Sequence, residues 1–182
     1  MILAFLMVVA AGIYRLGPHP ENVAPVAALA LLGGMYFGRR YALWVPLAIL
    51  VVTDMVLNVR MHYPAVYWPR LIDYGAFALI GAAGLWLRHR RTSAKVGAAA
   101  VTPFAFYLIS NFGVWLYGLG LNDQPYPKTF AGLADCYAAG LPFLRGTVIG
   151  DWVFMALFAA GLLLARRASN ARLGWLAAEA RA

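Results

Sequence analysis

Apolar side chains run along this chain in six long blocks, at positions 2–16, 23–37, 41–57, 71–87, 96–117 and 147–165, each bounded by charge, proline or glycine. A transmembrane helix needs roughly 20 mostly apolar residues, fewer when the span is short. The pattern therefore predicts an all-α protein, an integral membrane bundle of about six transmembrane helices. These form one polytopic domain over residues 1–165, followed by a basic cytoplasmic tail over 166–182. The first two blocks are short, so one of them is expected to be tilted, re-entrant or covered by neighbouring protein instead of lipid. Between the fifth and sixth blocks, Phe130, Leu133, Ala134, Tyr137 and Leu141 recur at helical spacing and Pro142 follows. This stripe predicts a short amphipathic helix ended by the proline, lying on the membrane or capping the bundle.

Composition agrees with the pattern. Hydrophobic residues make up 63% of the chain and charged residues 12%, with a mean hydropathy of +0.71, whereas a soluble domain is about half apolar and a quarter charged. The net charge of +8 would suggest nucleic acid in a soluble protein. Here the arginines sit in short clusters between apolar blocks, as in the cytoplasmic loops of membrane proteins, and no nucleic-acid partner is expected. Segment 1–11 lacks the basic start of a cleaved signal peptide. The lone cysteine, Cys136, excludes an intrachain disulfide and reads as a small buried hydrophobe or, less simply, a metal-binding thiolate.

Charge also sets an orientation. Loops after the second, fourth and sixth blocks hold ten cations: Arg39, Arg40, Arg88, Arg90, Arg91, Lys95, Arg166, Arg167, Arg172 and Arg181. The other side holds five: Arg15, Arg60, Arg70, Lys128 and Arg145. The positive-inside rule then places both termini in the cytoplasm. In that orientation Asp54, Asp73 and Asp151 fall at one depth near the outer face, together with His19, Asn22, Asn58, Tyr67, Trp68, Asn111 and Trp115. Ionisable groups inside spans are costly and usually face protein or a watery cavity, so these ten residues form the candidate substrate-binding set.

Each has a plainer reading. Arg70 and Asp73 stand three residues apart and could pair on one helix. Asp151, read as lying in the first turn of its span, could stabilise that helix's positive end. Asp54 lies near a helix carboxyl end, where the dipole disfavours an anion, so it needs a partner. His19 sits in a stiff Pro-His-Pro segment, and the Tyr and Trp residues could belong to an interfacial belt. The sequence contains no His-x-x-x-His or Cys-x-x-Cys pair, nucleophile elbow or phosphate loop, so no metal or other cofactor is expected.

Residues 19–40, from His19-Pro20-Glu21-Asn22 through Gly34-Met35-Tyr36-Phe37-Gly38-Arg39-Arg40, resemble the early segment of the substrate-binding S components of energy-coupling-factor vitamin transporters. Pro46 to Asp54, Asn111 to Trp115, Tyr126 to Lys128 and Gly150-Asp151 resemble a family of uncharacterised bacterial six-helix membrane proteins associated with that superfamily. The resemblance implies a six-helix bundle in the bacterial inner membrane with cytoplasmic termini and a ligand pocket near the outer face. It also implies partnership with a membrane coupling subunit and ATPase subunits. Ala-x-x-x-Ala pairs of the kind used for docking occur at Ala24/Ala28, Ala78/Ala82 and Ala156/Ala160, none of them in the first span. The expected function is that of a substrate-binding subunit for uptake of a small vitamin-like or cofactor-precursor molecule, with no catalysis of its own. A membrane enzyme using outer-face carboxylates, or a structural or assembly protein, are the other readings.

The orientation is testable with Cys136 replaced. A cysteine at Asn122 is expected to react with an impermeant thiol reagent on intact cells and one at Ser93 to stay unlabelled; the reverse labelling would invert the topology.

Overall fold

The computed structural model describes residues 2–37, 39–62, 70–118 and 124–179. Among these the chain forms six α-helices and no strand: α1 (Ile2–Leu16), α2 (Val26–Tyr36), α3 (Arg39–Arg60), α4 (Arg70–Leu87), α5 (Thr92–Tyr117) and α6 (Phe130–Glu179). Three segments are long and apolar enough to cross a membrane, Arg70–Leu87, Thr92–Tyr117 and Phe130–Asn170, which gives the molecule its membrane-protein character.

The centre of the bundle is α2. Its eleven residues extend about 16 Å at 1.5 Å per residue, half the thickness of a hydrocarbon core. Every residue from Val26 to Met35 is buried, and α2 touches all five other helices. Being apolar on all sides, it has no face to offer water. Of the two short blocks, this second one is the helix wrapped by protein.

The closest approach is between α2 and α4. A Cβ on Gly84 would fall on the Leu31 carbonyl oxygen and 3.0 Å from Gly34 Cα, and one on Gly34 would meet the Gly81 carbonyl and stand 2.6 Å from Leu85 N. Backbones pack this tightly in membrane bundles through small residues, because lipid provides no hydrophobic drive for helix association. Around this seam Leu31, Phe77, Ile80, Leu50 and Met155 fill the main core.

Residues 130–142 depart from expectation. The predicted short helix does not end at Pro142; it is the first part of the 50-residue α6, which continues unbroken to Glu179. The proline costs one backbone hydrogen bond, and α5 holds the preceding turn in place. Tyr107 Oη donates to the Tyr137 carbonyl at 2.5 Å, Tyr137 Oη to the Leu108 carbonyl at 2.9 Å, and Cys136 Sγ to the Asn111 carbonyl at 3.3 Å. The inward face here is Gly132, Cys136 and Gly140, all buried, whereas Phe130 and Leu141 of the apolar stripe are exposed. This places the stripe's ends outward and the small residues against α5. Cys136 is the buried hydrophobe, and the described residues contain no His/Cys/Asp/Glu group suited to a metal.

Gly84→Ala is expected to destabilise the purified protein by about 2 kcal/mol through overpacking against α2. Gly75→Ala, on an exposed position of the same helix with open space around it, should instead stabilise by up to about 1 kcal/mol. Thermal unfolding in one detergent compares the two.

Candidate functional site

The polar residues of the bundle converge at the end where α1 and α3 finish and α4 begins. A cavity of ≈ 170 Å³ there receives at least one side chain from every helix: Arg15 from α1, Val26 from α2, Asp54 from α3, Arg70 and Asp73 from α4, Ser110 from α5, and Asp151 from α6. A larger cavity of ≈ 380 Å³ adjoins it between α5 and α6, lined by Tyr107, Asn111, Tyr126, Gly140 and Phe143 among others. Asn22, Phe106, Ser110 and Thr147 line both. Glycines bring α6 close enough to form these walls. A Cβ on Gly140 would overlap Asn111 Oδ1, one on Gly146 the Glu21 carbonyl, and one on Gly150 would stand 2.9 Å from Val23 Cα.

Asp54 holds the first set of contacts. Its Oδ1 takes Arg15 Nη2 at 2.5 Å and Arg70 Nη1 at 3.4 Å, and only 2% of the Asp54 side chain is exposed. Arg15 Nε donates to Thr53 Oγ1 at 2.9 Å, and Thr53 in turn donates to the Ile49 carbonyl at 2.7 Å. Arg60 Nη1 donates to the Leu16 carbonyl at 2.9 Å, satisfying the end of α1. The partner that Asp54 needed is thus a pair of guanidiniums from two other helices.

Asp73 does not use the Arg70 one turn before it as its hydrogen-bonding partner. Its Oδ1 accepts from Ser110 Oγ of α5 at 2.7 Å, while Arg70 turns to Asp54. Asp151 lies 21 residues beyond Phe130, deep inside α6, so it stabilises no helix start. It is 3% exposed and its Oδ2 has no hydrogen-bond partner.

Of the ten expected residues, Asn22, Asp54, Asp73, Asn111 and Asp151 line one or both cavities. Asn22 gets there through a turn in which Val23 N donates to the Pro20 carbonyl, with Asn22 at φ 57°, a left-handed conformation that asparagine tolerates. Asn111 donates back to the Tyr107 carbonyl of its own helix at 2.9 Å. Three lie elsewhere. His19 stacks on Tyr14 with ring centroids 5.2 Å apart and donates to the Pro20 carbonyl. Asn58 is buried in α3 away from the lining. Trp115 donates to the Pro127 carbonyl at 2.8 Å and takes Lys128 against its ring and its own carbonyl. Tyr67 and Trp68 lie outside the described residues.

Arg15, Arg70, Ser110 and Thr147 were not among the sequence candidates, though they line the smaller cavity. Charge counting put both arginines on the outer side, yet Arg15 lies inside the apolar block at 2–16, which was a readable signal of a partner within the bundle. The opposite end of the bundle carries cations on aromatic rings: Lys95 and Arg166 over Tyr36 at 5.4 and 5.0 Å, and Arg90 over Trp86 at 4.3 Å.

Asp54→Asn strands two guanidiniums and is expected to destabilise the protein by about 3 kcal/mol, as removal of one partner of a buried ion pair does. The double replacement Arg15→Met with Asp54→Leu should recover more than half of that loss. Denaturation of the set checks it, and additive losses would show that the ion pair is not coupled.

No curated protein and no solved structure matches the chain. A family model does match, over residues 1–173, and its description is that of a family of unknown function, DUF6580. The chain belongs to the DUF6580 family.

Proposed function

We propose that this protein is a membrane-embedded small-molecule binder, acting as the substrate-binding subunit of an uptake system for a vitamin-like or cofactor-precursor molecule. The observation that carries this reading is the pair of adjoining cavities, of ≈ 380 and ≈ 170 Å³, with buried charged groups at one end and aromatic side chains at the other. Ligand sites are largely apolar concavities of this size range in which a few convergent polar groups fix orientation. A purely structural role accounts for Asp54, whose carboxylate ties three helices together. It does not account for Asp151, whose buried Oδ2 ties nothing.

The proposal includes six membrane crossings with both termini in the cytoplasm of a bacterial inner membrane. Here α2 crosses within a sheath of protein, and the cavities open toward the outer side. The orientation rests on the lysine and arginine bias, and two of the five outer cations, Arg15 and Arg70, belong to the cavity wall and not to loops. Uptake would then require coupling and ATPase subunits, since this sequence has no phosphate-binding loop.

Thr147 lines both cavities, and Thr147→Phe would fill their junction. Mass spectrometry of small molecules released from the purified protein is expected to find one molecule in near-stoichiometric amount. Thr147→Phe should lower that amount at least tenfold with a melting temperature within a few degrees of wild type. Equal retention by the variant, or none by either protein, would overturn the binding role.

A further inference from the structure

Among the described residues, two buried side-chain polar atoms have no hydrogen-bond partner, Asp151 Oδ2 and Arg70 Nε, and both residues line the smaller cavity. The other charged groups of that lining have partners within the chain. Both guanidiniums are engaged by Asp54, and Asp73 accepts from Ser110. Thr147, one turn before Asp151, donates its hydroxyl to the Phe143 carbonyl at 3.2 Å. Asp151, 3% exposed, is left with an acceptor oxygen that no donor of the chain reaches. Such a group in a membrane bundle is costly and marks where something else is received.

The cavity's charge says what kind of group that is. With each group in its charged form, two guanidiniums, Arg15 and Arg70, stand against three carboxylates, Asp54, Asp73 and Asp151, so a single positive charge on a ligand would balance the set. An anionic ligand would have to take the guanidiniums from Asp54 and approach two further carboxylates. A bare metal ion would need several converging oxygen ligands, and no group of His, Cys, Asp or Glu suited to a metal occurs among the described residues. An ammonium group needs one carboxylate and little space, and ≈ 170 Å³ accommodates it with a short linker. Arg70 Nε, whose charge is already balanced, offers a donor to a neutral oxygen on that linker. The adjoining ≈ 380 Å³, with Phe106, Tyr107, Val114 and Phe143 in its wall, suits an aromatic or apolar body.

We infer that the ligand is a small organic cation, a primary or secondary amine on an aromatic or apolar body, whose ammonium group pairs with Asp151. This rests on the binding role proposed above and names the class of molecule bound.

The test uses the full chain in detergent and two matched pairs of probes, phenethylamine against 2-phenylethanol and tryptamine against tryptophol, each pair differing in ammonium versus hydroxyl. Affinities are read from the concentration dependence of thermal stabilisation. The amine of at least one pair is expected to bind tenfold or more tightly than its alcohol. Asp151→Asn should bring that ratio to about one, while Asp135→Asn, at an exposed position on the same helix, should leave it unchanged. Should Asp151→Asn fail to fold, Asp151→Ser takes its place in the same comparison. Amines and alcohols that bind equally, and that Thr147→Phe excludes equally, would overturn the cation assignment and leave the binding role standing. Absence of stabilisation by all four probes would overturn the cation assignment, and the co-purification experiment then judges the binding role separately. An amine preference that survives Asp151→Asn would overturn the pairing with Asp151.

Discussion

One carboxylate holds the polar end of this bundle together. Asp54 Oδ1 takes a guanidinium from α1 at 2.5 Å and another from α4 at 3.4 Å, so three helices meet at a single oxygen of a buried carboxylate. Attraction between charges strengthens as the dielectric falls, but so does the cost of leaving any one of them alone. Arg15, Arg70 and Asp54 therefore stand or fall as a unit. Thr53, which accepts from Arg15 Nε, and Arg60, which satisfies the last turn of α1, extend that unit along α3. The cavity beside it has its position because this cluster fixes where α1 ends relative to α4.

A second constraint acts from the other direction. Because α2 is too short to cross a bilayer alone, it must be covered on every side, and the Gly34 and Gly84 backbones bring α4 against it closely enough to do so. The glycines of α6 do the same for the segment leading into α2: Gly146 meets Glu21 and Gly150 meets Val23. Asp151 follows Gly150 directly, so the close approach that packs the entry of α2 also carries this carboxylate into the interior. Packing and chemistry are here consequences of the same pair of residues.

Much of this was legible in the hydrophobic pattern. The limits of α1 match the block at 2–16, and α4 and α5 end where their blocks end, because a charge or glycine at the end of an apolar run is a local signal. The gathering of Asp54, Asp73 and Asp151 at one level followed from counting helix turns. What failed was non-local. The stripe Phe130, Leu133, Tyr137 and Leu141 predicts a short helix ended by Pro142, but the helix runs on through the proline as α6, with Gly132, Cys136 and Gly140 buried on its inward side. The i, i+3 spacing of Arg70 and Asp73 suggested a pair on one helix, yet each found its partner on another helix, Asp54 and Ser110. His19 and Trp115 satisfied their polar atoms locally, on Pro20 and Pro127, and spacing alone could not distinguish them from Asn22, which a turn delivers to both cavities.

Asp54 and Asp151 show why depth in a span does not by itself specify a role. Both are nearly inaccessible, and both line the same cavity. Asp54 is surrounded by cations from its own chain, and its surroundings are complete without any ligand. Asp151 lines the same cavity, yet its Oδ2 is buried with no hydrogen-bond partner from the chain. A buried acceptor left open costs stability that the fold could have kept. In a bundle that satisfies Asp54 twice over, an unsatisfied carboxylate a short distance away is best explained as preparation for a group that arrives from outside the chain. Under the proposed binding role, Asp54 would serve the architecture and Asp151 would be the carboxylate left for recognition.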